Sequence, residues 1–242
     1  MKMIFIIIIF CFLNLGLFSN DILLALRPVP PYVMEDEEGN ISGIEYEIIV
    51  SALETKGYSV KVQLFPLARM VDTIKFGIVD AAATILPSHE TGKYLSDVYI
   101  TYTNIALGLT SSNFEINNIN DFKDYSIVAF QHATVVLGED FREVMKSNKN
   151  YSETSQQILQ IKMLFNNRLD LAVGDFRILR YFIFDSNTAV DSTIPVKEYF
   201  TFPSTHYRVA FVNEQHMIDF NEGLSIIKAN GTYDEIIEKY SY

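Results

Sequence analysis

Residues 41–85 read ISGIEYEIIVSALETKGYSVKVQLFPLARMVDTIKFGIVDAAATI, and the order of patterns inside them decides the fold class. Ser42 with Glu45 three residues on has the form of a capping box. Ile44, Ile48, Ile49, Ala52 and Leu53 then recur at helical spacing until Gly57 stops the run. Val60, Val62 and Leu64 alternate as one face of a strand does. Pro66 is tolerated in a first helical turn, where its missing N–H has no intrahelical partner, and it opens a second helix with Leu67, Met70, Val71 and Ile74 on one face and Gly77 at its end. Val79 to Ile85, rich in small residues, reads as another strand. With Ile22 to Leu26 as a first strand, the order strand, helix, strand, helix, strand implies a parallel sheet covered by helices.

Upstream of this stretch, Pro28, Pro30 and Pro31 forbid an immediate helix after the first strand. Ahead of the strand, Lys2 and the apolar run Ile4 to Leu13 are followed by more polar residues, the pattern of a signal peptide over residues 1–19. The apolar run is short for a membrane span, which needs about 20 such residues. Cys11, the single cysteine, lies inside that leader, so the mature chain is expected to hold no disulfide.

Downstream, a second cycle follows a connecting strand at Asn104 to Thr110. It comprises a strand at Ser126 to Phe130, helices near Thr134 to Met145 and Ser155 to Asn166, a strand at Leu169 to Gly174 and a helix at Asp175 to Phe184. A strand at His206 to Val212 and a helix carrying Met217, Phe220, Leu224 and Ile227 lead to a last capping box at Thr232 and Glu235. Two α/β units in sequence place a cleft where their strand ends face each other, which is where such sheets bind small ligands. The net charge of −11 argues against nucleic acid or an anionic membrane surface as partner.

Four segments and the tail carry a family resemblance. They are PPYVMEDEEGNISGIEYE from Pro30, KFGIVDAAATILPSHETGKYLSDVY from Lys75, NDFKDYSIVAFQHAT from Asn120, NRLDLAVGD from Asn167, and Asn230-Gly231-Thr232-Tyr233 through Tyr240. In this order they resemble the family 3 extracellular solute-binding proteins, periplasmic receptors for polar amino acids and related solutes. The resemblance implies a two-lobed clamshell of type II in which the chain crosses between lobes twice. Residues 20–106 and 206–242 would form lobe 1, residues 107–205 would form lobe 2, and closure would be a hinge motion around ligand.

It also assigns expected roles. Asp175 stands where the family grips a ligand ammonium, and it also begins a helix, so an N-cap role stands beside the ligand role. Thr134, with adjacent backbone amides, stands where a ligand carboxylate is received, or it is a plain cap. Thr84 matches a hydroxyl position on the small-residue strand, with Ala81 and Ala82 in place of polar neighbours. His89 falls on the family's carboxylate-clamping arginine and cannot form the two-pronged guanidinium contact. Arg69, in the first turn of its helix, is a replacement for that arginine or an exposed surface residue. Tyr32 stacks on ligand or packs over the first lobe.

No nucleophile elbow, phosphate loop or zinc-protease helix is present, and His89, His132, His206 and His216 lack metal-ligand spacing. The expectation is therefore a monomeric periplasmic binder of a small polar solute, with no catalysis, metal or cofactor. The partner implied by the resemblance is the permease of an ABC transporter. A receptor for a chemoreceptor or kinase is the alternative, and a dehydratase acting on small cyclic acids through His132 and His89 is a further one.

Overall fold

The computed structural model describes residues 20–241; the expected signal peptide and Tyr242 lie outside the described residues. The first half runs through β1 (Asp21–Leu26), β2 (Met34–Glu35), β3 (Ile41–Ser42), α1 (Ile44–Glu54), β4 (Ser59–Leu64), α2 (Leu67–Lys75), β5 (Ala81–Ile85) and β6 (Tyr94–Tyr102). There follow β7 (Asn104–Leu109), β8 (Ile127–Phe130), α3 (Ala133–Val136), α4 (Glu139–Ser147), β9 (Tyr151–Thr154), α5 (Gln157–Phe165), β10 (Leu171–Asp175), α6 (Phe176–Phe184) and β11 (Val196–Thr201). The chain ends with β12 (Thr205–Phe211), α7 (Glu214–Ala229) and α8 (Thr232–Lys239).

Two five-stranded sheets organise these elements, in the orders β4-β1-β5-β12-β6 and β11-β7-β10-β8-β9. In the first, β4, β1 and β5 are parallel, as residues 41–85 predict, while β12 runs antiparallel between β5 and β6. In the second, β9, β8 and β10 are parallel and β7 runs antiparallel between β10 and β11. Each lobe is thus a mixed sheet whose antiparallel strands carry the chain to or from its neighbour. The first crossing is at Thr103 between β6 and β7, and the return lies at residues 202–204 between β11 and β12. The expected first boundary at residue 106 falls inside β7, which pairs along its length with β10 and β11 in the second sheet.

Several local expectations are corrected. Ser42 does not cap α1; Gly43 stands at its N-cap with φ 118° and no side-chain cap, and Glu45 turns inward. Thr232 does not cap α8 either, since Gly231 holds that position with φ 90°. The helix expected from Thr134 to Met145 is broken into α3 and α4 by Gly138 at φ 94°, a conformation that costs a side chain energy and glycine little. Strands β9 and β11 escaped the pattern reading because they are sheet edges with polar, exposed positions, YSET and VKEYFT, and edge strands need not alternate.

The first core packs Ile22, Leu24 and Leu26 of β1 against Ile48, Ile49 and Leu53 of α1 and Phe220, Leu224 and Ile227 of α7. Where α1 and α7 meet, a Cβ on Gly223 would overlap the Ala52 carbonyl oxygen and stand 2.7 Å from Thr55 Oγ1. Alanine in place of a helical glycine ordinarily stabilises by about 1 kcal/mol. Here the sign reverses: Gly223→Ala is expected to destabilise by about 1–3 kcal/mol, because the helices must separate to admit one carbon. Urea unfolding of the variant checks this, and an unchanged or raised midpoint would show that the two helices are not held at that separation.

Candidate functional site

The strand directions bring the carboxyl ends of β1, β5, β8 and β10 to one side of the molecule, between the two sheets. A cavity of about 480 Å³ lies there, within the size range of small-molecule sites. The first lobe lines it with Arg27, Thr84, Tyr102 and Tyr207, and the second with Asn104, Gln131, His132, Gln157 and Asp175. A second cavity, of about 300 Å³, is lined entirely by the second lobe, including Phe176, Phe184 and Ile194.

Asp175 is the most constrained polar residue of the cleft. Its Oδ1 accepts from the backbone N–H of Arg177 at 3.0 Å and of Ile178 at 3.3 Å, so it caps α6. The same oxygen accepts from the Tyr32 hydroxyl of the other lobe at 2.8 Å. Oδ2 accepts from the N–H of Thr103, the crossing residue, at 3.0 Å. Burial outweighs these donors and raises the Asp175 carboxyl to about 6.

A second buried carboxylate lies beneath the first-lobe wall. Glu45 is fully buried, with Oε1 accepting from the Tyr102 hydroxyl at 2.9 Å and Oε2 from Thr84 Oγ1 at 3.0 Å. Desolvation raises its carboxyl, while those hydrogen bonds and the charge of Arg27 act the other way. Tyr102 in turn stacks on Tyr32, with ring centroids 4.0 Å apart and planes 15° from parallel. The wall is therefore one connected polar and aromatic layer running from Glu45 through Tyr102 and Tyr32 to Asp175.

Of the six residues expected from sequence, Thr84 and Asp175 line the cleft. Tyr32 is completely buried behind it, packed on Tyr102 and bonded to Asp175. Arg69 is exposed and is not among the residues that line the cavity. His89 also lies off the cavity; its Nδ1 accepts from the Leu86 N–H at 3.3 Å, and burial holds the imidazole below its usual value. Thr134 is off the cavity as well, and its amide and hydroxyl donate to Glu153 Oε1 at 3.1 and 3.0 Å. Glu153 Oε2 takes the His132 N–H at 2.6 Å, so a carboxylate of this chain holds the donors expected for a ligand carboxylate.

Arg27 is the residue that pattern reading missed. It directly follows β1, and the carboxyl end of a parallel strand is where sheets of this kind bind ligands. That position at a strand end is the signal the sequence offers for it.

The raised Asp175 carboxyl has a pH consequence. Between its ordinary value of 3.8 and about 6 the folded chain binds a proton that the unfolded chain releases. Protonation therefore adds stability that is complete below 3.8 and is lost as pH rises through about 6, up to ~3 kcal/mol in all. Asp175→Asn removes this titration whatever it does to absolute stability. Melting temperatures of wild type and variant should accordingly diverge, with the wild type gaining on the variant as pH falls from 7 to 4, whereas parallel curves would show an unshifted carboxylate.

Comparison with known proteins agrees with this geometry. The arginine-binding periplasmic protein of Mannheimia haemolytica is 23% identical over 231 residues, covering 92% of this chain and 91% of that protein. An ancestral arginine-binding protein solved bound to arginine has a TM-score of 0.72 at 20% identity, covering 92% of this chain and 99% of that one. A histidine kinase sensor domain with similarity to periplasmic binding proteins has a TM-score of 0.73 at 17% identity, over 91% of this chain and 95% of the domain. These solved structures establish the periplasmic-binding-protein fold, with its two sheet-rich α/β lobes. The family match extends from the first strand through the last helix, over residues 22–242, and the chain belongs to the bacterial extracellular solute-binding proteins, family 3.

Proposed function

We propose that this chain is a monomeric periplasmic receptor that closes its lobes around a small polar, amino-acid-like solute and delivers it to the permease of an ABC transporter, leaving it chemically unchanged. The observation that carries this reading is the cleft at the strand ends, where both lobes contribute polar side chains and the lobes are joined by two crossings. Export rests on the signal-peptide pattern of residues 1–19 together with the extracellular family. The boundaries proposed for the lobes are residues 20–102 with 205–241, and 104–201, after the sheet membership of their strands.

Two observations bear on the alternatives. The dehydratase reading needed His89 and His132 on one cleft, and only His132 lines it, so the pair required for acid and base work is not assembled. The sensing reading gains from the likeness to a histidine kinase sensor domain. Both transport and sensing begin with the same capture step and differ in which protein reads the closed form.

A thermal-shift screen of the intact mature chain against the standard amino acids, polyamines, small cyclic acids and sugars tests capture. A ligand at 100 times its Kd should add about 2.7 kcal/mol. For a chain of this size that raises Tm by about 5–11 °C. A screen in which no amino acid or related acid raises Tm would overturn the proposal, and turnover of a cyclic acid would replace it with the enzyme reading. In cells lacking the chain, loss of labelled-ligand uptake supports delivery, and retained uptake with loss of a ligand response supports sensing.

A further inference from the structure

We infer that Arg27 is the anchoring cation of the cleft, taking a carboxylate of the solute side-on through its Nε–H and an Nη–H. This rests on the reading of the cleft as a solute site. Arg27 lines the cavity, its Nε is buried, and that nitrogen has no hydrogen-bond partner among the described residues. A buried N–H left without an acceptor is costly, on the order of 1–3 kcal/mol and more for a charged group. No ion pair within 4.0 Å joins the guanidinium to a carboxylate among the described residues.

The nearby carboxylates do not meet that demand. Glu45, close enough for the Arg27 charge to act on it, has each oxygen engaged by Tyr102 or Thr84. Both oxygens of Asp175 accept from the hinge, from α6 and from Tyr32. Glu153 is held by His132, Thr134 and Tyr151. The donor capacity that is still open on this wall is therefore cationic and fork-shaped, and it belongs to a residue that lines the cavity. A carboxylate matches it, since its two oxygens meet two parallel N–H groups of one guanidinium edge. Tyr102 and Tyr207, whose rings meet edge to face at 4.8 Å, wall the same space with aromatic surface.

Arg27 thereby supplies what His89 and Arg69 do not: a guanidinium at the strand ends. The ligand class follows, namely a small carboxylic acid, with neutral sugars and polyamines disfavoured because neither brings an anion to the unpaired N–H. The carboxylate is either the one shared by all amino acids or one on the side chain, and matched compounds separate the two.

The test is calorimetric titration of the intact mature chain, wild type and Arg27→Gln, with amino acids, their α-carboxamides and the pairs glutamate with glutamine and aspartate with asparagine. In the wild type, converting the anchored carboxylate to a carboxamide should weaken binding by about 100-fold, as losing one partner of a desolvated charge pair does. In Arg27→Gln the acid should lose about the same factor, and the acid-to-amide ratio should fall to about 3 or less. Arg27→Lys, which keeps the charge and loses the fork, should fall between the two. It provides the reading if the glutamine variant does not fold. Binding of the acid by both variants within about 3-fold of wild type, or tightest binding by a polyamine or sugar, overturns the anion assignment while leaving the receptor reading standing. A wild type that binds none of these compounds overturns both.

Discussion

Asp175 holds together parts of the molecule that no other side chain reaches at once. One carboxylate receives the start of α6, the N–H of Thr103 where the chain first crosses between sheets, and the hydroxyl of Tyr32 from the opposite lobe. A carboxylate removed from water is expensive, and these donors are what make its burial tolerable. The same residue lines the cavity, so the hinge, the lobe contact and the proposed solute site share one group. Any solute that alters the charge or bonding of Asp175 acts directly on the joint between lobes, which is the physical basis for coupling capture to closure in the proposed receptor.

The first-lobe wall follows a related logic. Glu45 sits fully buried under Tyr102 and Thr84, and its position one residue into α1, behind Gly43, depends on a glycine whose Cβ would strike the backbone of Pro31 and Tyr32. Close approach of that backbone brings Tyr32 over Tyr102 and sets its hydroxyl toward Asp175. The two buried acids thus lie in a low-dielectric layer where hydrogen bonds and a nearby charge, Arg27 for Glu45 and Arg177 for Asp175, offset part of the cost of burial, with no direct ion pair among the described residues of the wall. Such a layer is costly to assemble and keeps its geometry once assembled, and a binding cleft needs that fixed geometry before ligand arrives.

Much of the fold was legible because it depends on periodicity. The parallel order of β4, β1 and β5 follows from the alternation at Val60, Val62 and Leu64 and the helical spacing of Ile44 to Leu53, and the same reading found β8, α5, β10 and α6. Two edge strands of the second sheet were not legible: β9 and β11 expose polar residues, so burial imposed no pattern on them. Glu45 illustrates a subtler failure. Its sequence context fits a surface capping box, and only the positions of β5 and β6, far along the chain, turn it into a buried acceptor.

The site separates along the same line. Sequence alone determined the order of two α/β units, because hydrophobic spacing is local, and the family resemblance of their segments singled out Asp175 and Thr84. Tertiary structure alone decided that Arg69, His89 and Thr134 stand away from the cavity, that Glu153 fills the amides near Thr134, and that Arg27 lines the wall with an unpaired nitrogen. Those outcomes depend on where a side chain finds a partner tens of residues distant, and hydrogen-bond pairing across lobes leaves no periodic trace in the chain.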